Sequence, residues 1–229
     1  KKYGLLSMPV VDKEQRLVGI VTVDDIVQVI EDENTEDFEK MAALNPSDDP
    51  YLRTGVIRLA RNRIPWLLVL MLSATITGTL ILRFEDALAV LPVLMSFIPM
   101  LMDTGGNAGA QASTLIIRGM ALGEIRVGDV LLVLWKEVRV GVLCGATLGI
   151  VNFARVFLMN GRDAILSLTV TLSLIATLII AKSVGCTLPI LAKKLKIDPA
   201  IMASPMITTI VDAASLVVFF TVSRVLLGI

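Results

Sequence analysis

The chain has 229 residues, 55% of them hydrophobic, with a mean hydropathy of +0.79 and a formal net charge of zero. Such values stand well above those of a soluble domain and fit a polytopic membrane protein, while the balanced charge gives no reason to expect nucleic acid as a partner. The absence of His removes the commonest zinc ligand and the usual acid–base residue, which makes an enzyme the weakest reading.

Residues 1–30 read as soluble α/β structure. Two β-branched runs, SMPVVD and RLVGIVTV, flank the polar turn DKEQR and predict a hairpin. A helix should follow at VDDIVQVI, with Asp24 and Asp25 in its first turn, where carboxylates suit the helix dipole. The string MPVVDKEQRLVGIVTVDDIV, residues 8–27, resembles the closing half of a CBS domain. That resemblance implies that Thr22 and Asp25 are the remnant of a site for the ribose of an adenine nucleotide such as ATP. A complete pocket would need the rest of the module. The chain opens on Lys-Lys without Met or a signal-peptide pattern, which reads as a fragment whose front has been removed.

Residues 31–49 are acidic, with Glu31, Asp32, Glu33, Glu36, Asp37, Glu39, Asp48 and Asp49. A solvated helix or linker would explain such a run. Glu33, Glu36 and Asp37, however, fall on one helical face, where carboxylates repel unless a cation sits among them. Asp25 lies three turns back on the same side if the helix is continuous. Oxygen-only clusters of this kind suit Mg²⁺ or Ca²⁺. Asn45-Pro46-Ser47 should break the helix. The stretch from 51 to 63 then predicts a basic amphipathic helix whose Arg53, Arg58, Arg61 and Arg63 belong at a cytoplasmic membrane surface.

Five membrane spans are expected, near 64–82, 87–117, 129–153, 164–186 and 203–227. Arg53, Arg58, Arg61, Arg63, Arg118, Arg126, Lys136, Arg139, Lys193, Lys194 and Lys196 gather on one side. The other side holds Arg83, Arg155, Arg162 and Arg224. Positive residues collect inside, so the N-terminus is expected in the cytoplasm and the C-terminus outside the cell membrane. Gly141, Gly145 and Gly149 in the third span have the spacing that lets helices approach closely. Ser167, Thr169, Thr171, Ser173 and Thr177 in the fourth can bond their own helix or a neighbour. Cys144 and Cys186 sit in apolar runs and read as small buried residues rather than a disulfide or metal pair.

Two spans carry polar stripes. In the second, Pro92 and Pro99 precede MDTGGNAGAQAST, and Asp103, Asn107, Gln111 and Thr114 recur on one helical face. Gly105 and Gly109 form a small-residue pair beside it. A tight helix crossing held by amide bonds is one explanation; a wall of a watery cavity is the other. In the fifth span Ser204, Thr208, Asp212 and Ser215 repeat the same rhythm. A carboxylate at that depth costs roughly 2.5–3.5 kcal/mol on insertion scales, so it should face water or a partner. Two matching stripes favour a path for a hydrated cation.

The segments PVLMSFIPMLMDTGGNAGAQASTLIIRGMALGEI and LAKKLKIDPAIMASPMITTIVDAASL, behind a CBS remnant and an acidic connector, resemble the MgtE family of magnesium transporters. The resemblance implies a homodimer of five-span subunits with a pore on the two-fold axis, lined by spans two and five. The family's pore carboxylate falls on Asp212, its Gly-Gly-Asn stretch on Gly105, Gly106 and Asn107, and its pore-entrance acid on Asp198. Its regulatory Mg²⁺ sites fall on Asp25, Glu33, Glu36 and Asp37, with Gln28 standing where an additional acid can occur. The family's N-terminal acidic domain and first CBS module have no counterpart in this sequence. Asp198-Pro199-Ala200 is also a helix start, with Asp198 as N-cap.

The implied function is a Mg²⁺ channel or transporter, not an enzyme, in which Asp212, Thr208 and Asn107 read the ion's water shell. Cytosolic Mg²⁺ on the connector would close it. Without a Walker motif, an ATP-driven pump is not proposed. A proton- or sodium-coupled divalent cation exporter, with Asp212 as coupling carboxylate, is the alternative; a receptor or scaffold that merely dimerises would leave both polar stripes unexplained.

Overall fold

The computed structural model describes residues 3–47, 49–202 and 204–228; within these, nothing is drawn from the side chains of 86–88 and 204. Asp48 of the acidic stretch and the Ser204 side chain of the last polar stripe therefore lie outside the described residues.

The hairpin forms as expected, from β1 (Ser7–Val11) and β2 (Leu17–Thr22), antiparallel with Ser7 opposite Thr22 and Val10 opposite Gly19. A bulge between Val10 and Val11 brings Val11 opposite Leu17. Asp12 fixes the turn, its Oδ1 accepting the backbone N–H groups of Glu14 and Arg16 at 2.9 Å each. The ribbon has only two strands, and its Val10, Val18 and Ile20 side chains are exposed.

Thr22 then starts α1 (Val23–Met41) through a capping box with Asp25. The helix is continuous from Asp25 through Glu39, which puts Asp25 and Glu36 on one side. It ends in a turn with Ala43 at φ 55°, ahead of Pro46. The basic stretch and the first span differ from expectation. A short 3₁₀ turn (Tyr51–Arg53) precedes α2 (Val56–Arg83), which runs through Pro65 without a break. Pro65 removes one backbone donor, but the helix continues because its flanking turns remain bonded. Arg58, Arg61 and Arg63 are thus the exposed head of the first span rather than a separate helix, with Arg53 in the turn before it.

The second span also has more structure than a single helix. It comprises α3 (Glu85–Val90), a 3₁₀ segment (Pro92–Phe97) and α4 (Ile98–Ala121). Pro92 and Pro99 each sit in the first turn of their element, where a missing N–H costs nothing. After α5 (Val130–Met159) and α6 (Ala164–Lys194), a 3₁₀ turn (Pro199–Met202) leads into α7 (Ser204–Leu227). Among the described residues, four helical stretches are long and apolar enough to cross a membrane, built on α2, α5, α6 and α7. The other expected span, α4, is the polar one, with Asp103, Asn107, Gln111 and Arg118 in its 24 residues.

The core lies between α4, α6 and α7, around Leu101, Val170, Leu174, Leu178, Ile207, Val211 and Phe219. In lipid there is little hydrophobic drive between helices, so close backbone contact must hold them. Glycine supplies it. A Cβ on Gly141 or Gly145 would stand 3.1 or 3.3 Å from the Cα of Ile179 or Ile175, so α5 lies flat on α6. α6 and α4 meet more closely still: a Cβ on Gly185 would be 2.3 Å from the Gly109 carbonyl oxygen. The α6 hydroxyls follow expectation in part. Ser167, Thr169 and Ser173 donate to carbonyls one turn back, whereas the buried Thr171 and Thr177 hydroxyls find no partner among the described residues. Phe84, just past α2, stacks on Phe220 of α7 with ring centroids 4.3 Å apart.

Candidate cation path between α4 and α7

α4 and α7 pack with Asp103 and Asn107 of one polar stripe and Thr208 and Asp212 of the other toward one groove. Gly106 allows this: a Cβ there would lie 3.0 Å from the Thr208 methyl. The groove encloses about 450 Å³ and is lined by Ile98, Pro99, Met102, Asp103, Gly106, Asn107, Thr208 and Asp212. Thr208 donates its hydroxyl proton to the Pro205 carbonyl at 2.9 Å. The oxygen lone pairs of that hydroxyl stay available to the groove. Two carboxylates, an amide and a hydroxyl on one wall form an acceptor-rich surface suited to the water shell of a small divalent cation.

Four expected pore residues, Asp212, Asn107, Gly106 and Thr208, therefore meet here. Gly105 does not line the groove. It faces the other way, with the Thr177 methyl, Ser215 Oγ and Val211 within 3.0 Å of where its Cβ would be, so it serves the α4–α6–α7 packing. Ser215 is buried and donates to the Val211 carbonyl at 2.7 Å, and Gln111 and Thr114 also fall outside the lining. Asp103 is the lining carboxylate that the sequence reading left unassigned, though its place one turn before Asn107 was a usable signal.

A second arrangement joins α1 to the start of α7. Asp198 caps the turn, its Oδ1 accepting the Ala200 N–H at 2.9 Å. Its Oδ2 accepts from Lys40 Nζ at 2.5 Å, and Lys40 also pairs with Glu36 at 2.5 Å. Burial by itself would raise the Asp198 pKa. The Lys40 hydrogen bond, the Ala200 N–H and the Lys40 charge outweigh it, and the carboxyl is held below its ordinary value. Lys40 is raised in turn, by its hydrogen bonds to Asp198 and Glu36 against the cost of burial. Asp37 is raised by burial and then by the nearby Asp198 charge. Nothing in the charge pattern of the acidic stretch singled out Lys40.

The remaining regulatory candidates are spread along α1. Glu33 and Glu36 border a cavity of about 730 Å³ between α1 and the start of α2, with Glu39, Tyr51 and Arg63 on its wall. Among the described residues no three acidic, Cys or His side chains converge closely enough to hold a metal ion. A regulatory Mg²⁺ held by Glu33, Glu36 or Asp37 would need further oxygen ligands. Thr22 and Asp25 are engaged with each other: Asp25 Oδ2 accepts the Thr22 N–H and hydroxyl at 2.7 Å each, which lowers the Asp25 pKa.

Comparison with known proteins gives a consistent placement. A family of divalent cation transporters, MgtE, matches residues 98–222, and the CBS domain family matches residues 1–32. The magnesium transporter MgtE of Thermus thermophilus is 38% identical over 225 residues, which is 98% of this chain and 50% of that protein. The protein of that name from Bacillus subtilis is 38% identical over 223 residues, or 97% and 49%. That from Enterococcus faecalis is 29% identical over 223 residues, or 97% and 48%. This chain thus spans about half the length of the curated relatives it matches. Because the transporter family covers α4 through α7, the helices that build the acceptor-lined groove, the chain belongs to the MgtE family of divalent cation transporters.

Proposed function

We propose that this chain forms a Mg²⁺-conducting path along the α4–α7 groove. The observation that supports this best is the meeting of Asp103, Asn107, Thr208 and Asp212 on one wall. Mg²⁺ gives up water reluctantly, so acceptors that hold its hydration shell are the economical way to select it. Asp103 and Asn107 are exposed on a helix within the membrane part of the molecule. Carboxylates there are costly against lipid. A second copy of the chain, related by a two-fold axis, would cover that face and enclose the path between two sets of acceptors. Its paired Asp212 carboxylates repel one another when empty, which favours a divalent over a monovalent ion.

The remaining parts follow. The protein lies in the cell membrane with α1 in the cytoplasm, a placement that the Lys and Arg distribution supports. Inward movement needs no fuel, since two charges crossing 100 mV release about 4.6 kcal/mol. The connecting helix gates the cytoplasmic mouth. Mg²⁺ neutralising Glu33, Glu36 and Asp37 favours α1 docked at Asp198, and its loss lets the carboxylates spread. ATP is reserved for a complete CBS module. The decisive measurement is Mg²⁺ uptake into liposomes. Asp212→Asn and Asp212→Ala should each lose at least tenfold in rate, and uptake equal to that of the parent would reject the path.

A further inference from the structure

Away from the groove, α5 and α6 each bury one ionisable side chain. Glu137 is 9% and Lys182 6% exposed, and Lys182 Nζ stands 3.9 Å from Glu137 Oε2. That distance is charge pairing without a hydrogen bond. Oε2 is fully buried and has no hydrogen-bond donor among the described residues. Burying opposite charges in so apolar a place brings little net stability, and breaking the pair leaves one charge stranded. Its value must lie elsewhere.

The surroundings indicate where. The α5–α6 interface around the pair is made by Gly141, Gly145 and Gly149 against Ile175 and Ile179, close contacts that carry no charge. Such contacts hold the helices together, but lipid serves apolar side chains nearly as well as protein does. The ion pair adds a directional restraint, since separating opposite charges costs far more at low dielectric than in water. Lys182 is three residues before Gly185, whose absent Cβ admits the Gly109 carbonyl of α4. At that contact α6 has no slack, so a shift of α6 carries α4 with it. Gly109 lies two residues beyond Asn107 and three beyond Gly106, both in the groove lining.

We propose that Glu137 and Lys182 are positioning residues for the cation path: their attraction sets the placement of α6, and the Gly185–Gly109 contact passes it on to Gly106 and Asn107 opposite Thr208 and Asp212. The proposal rests on the transport reading above, and the test separates the two. Mg²⁺ uptake, normalised to folded protein, is measured for Lys182→Met, for Glu137→Gln, for both together, and for the exchange Lys182→Glu with Glu137→Lys. Half-saturating Mg²⁺ should rise at least fivefold in both single variants and in the neutral double variant. The exchange should return it to within twofold of the parent. A purely structural pair would change thermal stability alone; a neutral double variant with the parent's half-saturation overturns the proposal, as does an exchange no better than the single variants. A second measurement needs no transport. In a Cys144→Ala background, Asn107→Cys should react with a water-soluble maleimide at rates differing at least threefold between the parent pair and the neutral double variant. Equal rates overturn the positioning role. A parent that takes up no Mg²⁺ sinks the transport reading instead.

Discussion

Lys40 Nζ lies 2.5 Å from Asp198 Oδ2, joining the connecting helix to the turn that opens α7 across 158 positions of sequence. Because the same ammonium holds Glu36, one cation ties a proposed regulatory residue to the carboxylate proposed at the pore entrance. The pair is partly exposed, with side-chain exposures of 21% and 33%, so about 1 kcal/mol is a fair measure of its worth. Lys40→Met should therefore lower hydrogen-exchange protection in the last turns of α1 by about fivefold, with the exchange of α6 unchanged.

The same contact has a pH signature. The Asp198 pKa is lowered, so its contribution is present above the ordinary value of 3.8 and is lost as pH falls through the lowered one. The Lys40 pKa is raised, so its contribution is complete below 10.5 and is lost only as pH rises through its higher folded-state value. Asp37 is raised, which works the other way: its contribution is complete below 3.8 and is lost as pH rises through its folded-state value. Docking of α1 should strengthen modestly as pH falls from neutral and Asp37 takes a proton, then weaken once Asp198 is protonated. Exchange protection of α1 measured against pH should show that maximum, and Asp37→Asn should remove its rising limb.

Asp103 shares the groove with Asp212 and is expected to contribute to ion attraction. Asp103→Asn keeps the shape and removes one charge. Half-saturating Mg²⁺ for liposome uptake should rise about three- to tenfold, a smaller defect than that of Asp212→Asn. A change in maximal rate with unchanged half-saturation would place Asp103 outside the ion's reach.

At the α4–α6 crossing, Gly185→Ala would put a methyl 2.3 Å from the Gly109 carbonyl oxygen. Overpacking of this kind costs about 1–3 kcal/mol. Gly78 of α2 is the internal control, since a Cβ there meets nothing within 4 Å. Gly78→Ala should be neutral or stabilising by up to about 1 kcal/mol. Thermal unfolding in detergent should separate the two, with only Gly185→Ala shifted downward.

Much of this molecule was legible from residue order because the determining forces are local or one-dimensional. The hairpin followed from two β-branched runs around the DKEQR turn, and α1 from Asp24 and Asp25 placed for a helix's first turn. The long helices followed from apolar runs, since backbone groups in lipid must be bonded within their own segment. Asp212, Asn107 and Thr208 could be nominated because a polar stripe on an apolar helix has few explanations. The tertiary structure decided which faces meet. Gly105 and Gly106 are adjacent and chemically identical, yet one packs against Thr177 while the other lets Thr208 approach the groove. Asp103 joined the site, Ser215 left it, and Lys40 found Asp198 from far away in the chain. The pairing of Glu137 with Lys182 was equally hidden. Periodicity determines which residues share a helical face, but the partner of that face depends on close contacts between glycine backbones many turns apart, and those are settled only when the helices pack.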